Sequence, residues 1–175
     1  MRKTMLRYGI YGALTISILF LLSWSVGSNL DFSTQEVLGY LSMIISLSFV
    51  FFGIKHYRDN ENNGEITFGK SLKIGIAISL ITALAFGILD VIYIKFINPD
   101  FLTEYYDTTI AQMKETLPAD AFKVKLVEME SQKELFSSTF MSFFIMAMTV
   151  FLIGFIISLI SALVLQRKSV KPGIL

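Results

Sequence analysis

A chain of 175 residues that is 54% hydrophobic and only 17% charged has too little polar surface to cover a water-soluble globule, so most of it belongs in a bilayer. The formal net charge of +1 gives no general attraction for nucleic acid. The absence of cysteine excludes disulfides, thiolate metal sites and cysteine nucleophiles.

Four apolar stretches follow one another: Tyr8–Val26, Val37–Ile54, Leu72–Ile94 and Phe140–Leu165. Each approaches or exceeds the ~20 residues an α-helix needs to cross a ~30 Å hydrocarbon core. Backbone amides in lipid must be paired within their own segment, so these stretches are helices. The expected fold class is all-α: a polytopic membrane protein with four transmembrane helices, about 8–26, 37–54, 72–94 and 140–165, in a compact bundle. A single domain over 1–175 is expected, with two amphipathic helices in a long outer loop at about 95–138.

The first helix follows Arg2, Lys3 and Arg7. A basic start, an apolar run and Ser25-Val26-Gly27 loosely resemble a cleaved signal peptide. The run is longer than a signal core, and Gly9, Ala13 and Ser17 form a packing ridge, so retention is expected. Ser42, Ser46 and Gly53 give the second helix a weaker small-residue face. The third carries an unbroken ridge of Gly75, Ser79, Ala83 and Gly87, and the fourth Gly154, Ser158 and Ala162. Small residues four apart let helix backbones approach in lipid, which places the third helix near the bundle centre. Hydroxyls on these faces are expected to bond back to their own helix carbonyls rather than line a polar pathway.

Asp90 is the one ionisable residue well within a span. Counting from Lys73, it lies about one turn below the outer surface, within reach of Lys95 or a polar group on a neighbouring helix. An interfacial acid fixing helix depth is the plain reading; proton or cation binding is the functional one. In the outer loop, Asn98-Pro99-Asp100 and Leu117-Pro118 break the chain into two helices. Phe101, Leu102, Tyr105, Tyr106, Thr109, Ile110 and Met113 line one side of the first. Phe122, Leu126, Met129 and Phe136 line one face of the second, with Lys123, Glu130 and Lys133 elsewhere.

Short connections kept in the cytoplasm carry the excess of Lys and Arg. The first connection, Gly27–Glu36, has neither, whereas Lys55, Arg58, Lys70 and Lys73 crowd the second and Arg167, Lys168 and Lys171 the C-terminal tail. Both termini are therefore expected on the cytoplasmic side of the membrane.

The second connection contains Gly64-Glu65-Ile66-Thr67-Phe68-Gly69-Lys70-Ser71, a literal phosphate-loop pattern. That chemistry needs a strand feeding the loop; here a transmembrane helix precedes it, and Glu65 repels phosphate. Asp59, Glu61 and Asn63 imitate a calcium loop, but its twelfth position is Lys70 rather than a bidentate Glu. Turn chemistry at Asn63-Gly64 and an N-cap at Thr67 explain more. His56 is the sole histidine, and there is no metal-ligand spacing or catalytic constellation, so neither metal, cofactor nor enzymatic activity is expected. Amides near Gly69 and Ser71, with Lys70 and Lys73, suggest a hold on an anionic lipid headgroup.

Gly53-Ile54-Lys55-His56-Tyr57-Arg58-Asp59, the run from Gly64 to Ser71, and Gly75 together resemble the signature of a bacterial family of small membrane proteins, domain of unknown function 4199. Gly39 to Met43, Pro99-Asp100-Phe101 and Gly154 to Leu165 match as well, with Ser71 where the family has Ala. The resemblance implies a four-helix bacterial membrane protein with no assigned activity. It also implies that Tyr57, Arg58, Gly64, Phe68, Gly69 and Lys70 act together. The expected function is a non-enzymatic scaffold or accessory using lipid contacts, a protein partner or a homo-oligomer. Tyr57, Arg58, Gly69, Lys70 and Lys73 are its candidate binding residues. The alternative is a small transporter or channel component with Asp90 near its pathway.

Overall fold

The computed structural model describes residues 1–27 and 30–167; Lys168 and Lys171 of the basic tail lie outside the described residues. Six α-helices occur among the described residues: α1 Arg2–Gly27, α2 Phe32–His56, α3 Phe68–Ile92, α4 Phe101–Thr116, α5 Ala119–Ser137 and α6 Thr139–Leu165. α2 and α3 each run on into a π-helical turn, Tyr57–Glu61 and Tyr93–Ile97. Among the described residues four helices are long and apolar enough to cross a membrane: α1, α2, α3 and α6. All outrun the apolar stretches, because hydrogen bonding within a helix does not end at the hydrocarbon boundary. Asp31 caps α2: its Oδ2 accepts the Thr34 amide at 3.0 Å and its Oδ1 the Thr34 hydroxyl at 2.7 Å. These bonds hold its carboxyl below the usual range, so the cap is kept until pH falls through that lowered value.

The chain forms two compact units. One takes in Met1–Phe86 and the segment from Ala147 onward; the other is Gly87–Met146.

In the first unit four helices pack as a bundle, and α3 is its hub. Two adjacent rows of α3 are buried, Ile74-Ile78-Thr82-Phe86 and Ser71-Gly75-Ser79-Ala83. A Cβ built on Gly75 would fall 2.6 Å from Ser158 Oγ, and one on Gly154 would fall 2.6 Å from Ser79 Cβ. The two helices thus exchange small-residue contacts, each serine seated over the other's glycine. The Ser158 hydroxyl donates to Gly154 O at 2.6 Å, which leaves Ser79 as donor in the 3.3 Å contact between the two hydroxyls. α1 meets α3 where Gly9 faces Ile81 and Gly12 faces Thr82, and α2 meets it where Gly53 faces Ile78. Half of the apolar window of α3 is buried, against 33% for α2 and 17% for α1 and α6, so the small-residue ridge does mark the central helix.

On α1 the register differs from the expected ridge. Thr4, Gly9, Gly12 and Ile16 are the buried positions, while Ala13 and Ser17 are only half-buried. A ridge read four residues at a time misses Gly12 because 3.6 residues per turn also brings positions three apart onto one face.

The second unit pairs α4 and α5 as a helical hairpin broken at Leu117-Pro118, between the end of α3 and the start of α6. Tyr106 is buried, with Lys133 Nζ 6.0 Å from its ring centre and 3.7 Å from Asp107 Oδ1. Lys133 therefore joins the inner side of α5 instead of lying away from it. No residue of α5 is buried, and Val124, Val127 and Leu135 are exposed, so apolar side chains occupy more than one side of this helix.

The Gly75 contact yields a paired test. Gly75→Ala should lower thermal stability in detergent by about 1–3 kcal/mol, because Ser158 Cβ and Cα leave no room. Gly39→Ala, which meets nothing within 4 Å, should be neutral or stabilising by up to about 1 kcal/mol. Equal responses from the two would remove the close-approach account.

Candidate functional site

The second connection is a folded element. As α2 ends, the Tyr57 amide is shared between Gly53 O and Ile54 O, and the chain runs on into the π-helical turn Tyr57–Glu61. Such turns insert an extra residue per cycle and often accompany functional positions. The chain then reverses: Gly64 N–H donates to Arg58 O at 2.8 Å and Glu65 N–H to Asn62 O at 3.0 Å. Asn63 and Gly64 take φ of 53° and 79°, the left-handed pair that a tight reversal of this hand demands. Ile66, buried, forms an isolated antiparallel bridge with Arg167, amide to carbonyl in both directions at 3.0 and 2.8 Å. Thr67 then starts α3: its hydroxyl accepts the Lys70 amide at 3.4 Å and its carbonyl the Ser71 amide at 3.0 Å.

Side chains fasten this element on every side. Tyr57 is buried, and its hydroxyl lies 3.5 Å from Asn62 Oδ1. Lys70 Nζ donates to the same Asn62 oxygen at 3.1 Å and stands 5.3 Å from the Tyr57 ring centre. Asn62 Nδ2 in turn donates to Glu65 O at 2.5 Å. Arg58 grips Asp59 with two nitrogens, at 2.7 and 3.2 Å, and reaches Leu165 O at 3.3 Å. Glu61 receives the α-ammonium of Met1 at 2.6 Å and the Thr4 hydroxyl, with His56 Nε2 3.9 Å away.

Tyr57 and Lys70 are therefore brought together through Asn62. Arg58 points to the end of α6 instead. Gly69 has open space around it, and Lys73 is exposed on α3. Of the amides offered to an anionic headgroup, those of Lys70 and Ser71 are taken by Thr67, and the Lys70 ammonium by Asn62 and Tyr57. The phosphate-loop look-alike is thus a turn, one bridge and the first turn of a helix. The acids of the calcium look-alike are engaged by Arg58, Thr4 and Met1. Among the described residues no group of three or more His, Asp or Glu is placed to hold a metal ion.

Sequence reasoning missed Asn62, Thr4 and Ile66. Asn62 gave no signal beyond its place before a turn, and the partners of Thr4 and Ile66 are distant in the chain. Asp90 belongs to the second unit, where the Ser142 hydroxyl of α6 donates to its Oδ2 at 2.8 Å. Asp90 is 7% exposed, and Lys95 lies on the surface.

Four bilayer-length helices and a tight connection that fastens helix ends together define a multi-pass α-helical membrane protein. A family model described as "Protein of unknown function (DUF4199)" matches residues 7–167, and the chain belongs to that family. No curated protein and no solved structure matches it.

Lys70 and Lys73 separate structural from surface cations. Lys70→Gln should lower thermal stability by about 1–2 kcal/mol through the lost charged hydrogen bond and ring contact. Lys73→Gln, exposed, should change it by less than about 0.5 kcal/mol. The unfolding midpoint in detergent reads both, and an insensitive Lys70 variant would refute the fastening.

Proposed function

We propose that this protein is a non-enzymatic accessory or scaffold of the bacterial cytoplasmic membrane, acting through lipids, a protein partner or a second copy of itself. Its second connection and both described ends face the cytoplasm in this reading. The observation that carries it is how the buried hydroxyls of the bundle are used. Ser46, Thr82 and Ser158 donate to carbonyls of their own helices, and Ser79 to Ser158. A solute pathway needs such groups presented to the solute; here they serve packing, which leaves the outer surfaces for recognition.

The same-side arrangement is supported by contacts that gather the helix ends. Met1 and Thr4 meet Glu61, while Ile66 pairs with Arg167. The excess of Lys and Arg at that end supports its cytoplasmic assignment.

Purification in mild detergent should recover a protein partner or a second copy, together with bound lipid. A reproducible bound metabolite without any partner protein would overturn the scaffold reading and favour a transporter. Because the chain has no native cysteine, Lys3→Cys and Arg167→Cys each give one labelling site. Both should resist an impermeant thiol reagent in intact cells and react in inverted vesicles. Labelling on opposite sides would reject the arrangement.

A further inference from the structure

The cations at the second-connection end fall into two sets, and only one is used by the fold. Arg58 and Lys70 turn inward to Leu165 O and Asn62. Of the remaining described Lys and Arg residues at this end, five prolong the outward stripes of the bundle helices, while exposed Arg2 stands at the start of α1. On α1, exposed Lys3 and Arg7 continue the row of exposed Ile10, Leu14 and Ile18. On α2, exposed Lys55 follows Leu41, Ile45 and Phe52. Lys73 lies on the α3 row that continues through exposed Leu80 and Leu84. Exposed Arg167 comes just after α6, whose Ile156, Ile160 and Val164 are exposed, and its backbone is fixed by the Ile66 bridge. These residues share one end of the first unit, since Thr4 meets Glu61 of the adjoining turn and Arg167 meets Ile66.

We infer that Lys3, Arg7, Lys55, Lys73 and Arg167 form a collar that recognises the phosphodiester headgroups of anionic phospholipids around the bundle. Each apolar stripe lies against acyl chains, so the cation at its end stands at the depth of the phosphates of the same lipids. Long Lys and Arg stems reach that level while their carbons remain on apolar surface. The acids nearby do not neutralise the collar evenly. Asp59 is bonded by Arg58 and feels Lys55 and Arg167 only at longer range, while Glu61 is held by Met1 and Thr4. The collar deepens the proposed surface role by naming the lipid class. It also moves recognition off Arg58 and Lys70.

Native mass spectrometry of protein reconstituted in nanodiscs of equal parts phosphatidylglycerol and phosphatidylcholine tests it. The wild type should retain phosphatidylglycerol in preference. Lys55→Gln/Lys73→Gln/Arg167→Gln should lose that preference, by about fivefold for each neutralised side chain. Lys55→Arg/Lys73→Arg/Arg167→Lys should keep it, which separates charge from a defect in folding. No preference in the wild type, an unchanged ratio in the glutamine variant, or an equal loss in the charge-keeping variant would each overturn the collar. Recovery of a protein partner, the measure of the scaffold reading, would stand or fall separately.

Discussion

Acyl chains are as apolar as leucine, so burying leucine against leucine does little to hold membrane helices together. What remains is close approach, in which dispersion between backbones and side chains replaces looser contacts with lipid. The crossing of α3 and α6 supplies this through Gly75 beneath Ser158 and Gly154 beneath Ser79. Both glycines are needed, because a side chain on either would push one helix off the other's serine. Leu47 lies 3.0 Å from the Cβ position of Gly154, so α2 closes on the same crossing. Gly12, against Thr82 and Ser46 O, brings α1 to the neighbouring row of α3. Without the α3–α6 contact, α3 would keep its contacts with α1 at Gly9 and Gly12 and with α2 at Gly53, and the fourth helix would lose its seat.

The polar groups at these contacts follow from the same constraint. A serine or threonine suits close packing by size, but its hydroxyl must be satisfied in a medium without water. The helix offers a ready acceptor in the carbonyl one turn back, used by Ser46, Thr82 and Ser158. Ser79 bonds across the interface to Ser158. Interior polarity here is a by-product of small size, which makes it a poor guide to a solute pathway.

This constraint also explains what the sequence disclosed. The α3 ridge was legible because a central helix must carry small or slender residues along its whole buried surface. The turn at Asn63-Gly64 and the start of α3 at Thr67 were legible because both are local. The α1 register was not: Ala13 and Gly12 look equally suitable, and only the position of Thr82 selects Gly12. The fate of Lys70 was hidden for a related reason. Lys70 and Lys73 read alike as basic residues at a membrane surface. They differ because Lys70 faces Asn62 and Tyr57 across the connection, whereas Lys73 lies on the outward stripe of α3. Family resemblance marked Tyr57, Gly64 and Lys70 as a group without distinguishing a binding motif from a folding one.

The geometry of the second connection makes that distinction. A long polar loop would leave the ends of α2 and α3 free to slide and rotate. Instead the π-helical turn redirects the chain, the left-handed pair reverses it, and Ile66 pairs with Arg167 beyond the end of α6. Arg58 bonds Leu165 O, a carbonyl in the last turn of α6 that lacks a helical partner by position. Glu61 engages Thr4 near the start of α1. One short segment thereby fixes all four helix ends of the bundle relative to each other. Gly64, Lys70, Arg58 and Tyr57 each contribute a different part of that fastening, so substituting one weakens it without replacing what the others do. The motif most suggestive of nucleotide chemistry is in this way the clasp of a membrane bundle. Lys3, Arg7, Lys55 and Lys73, which it does not use, are left exposed.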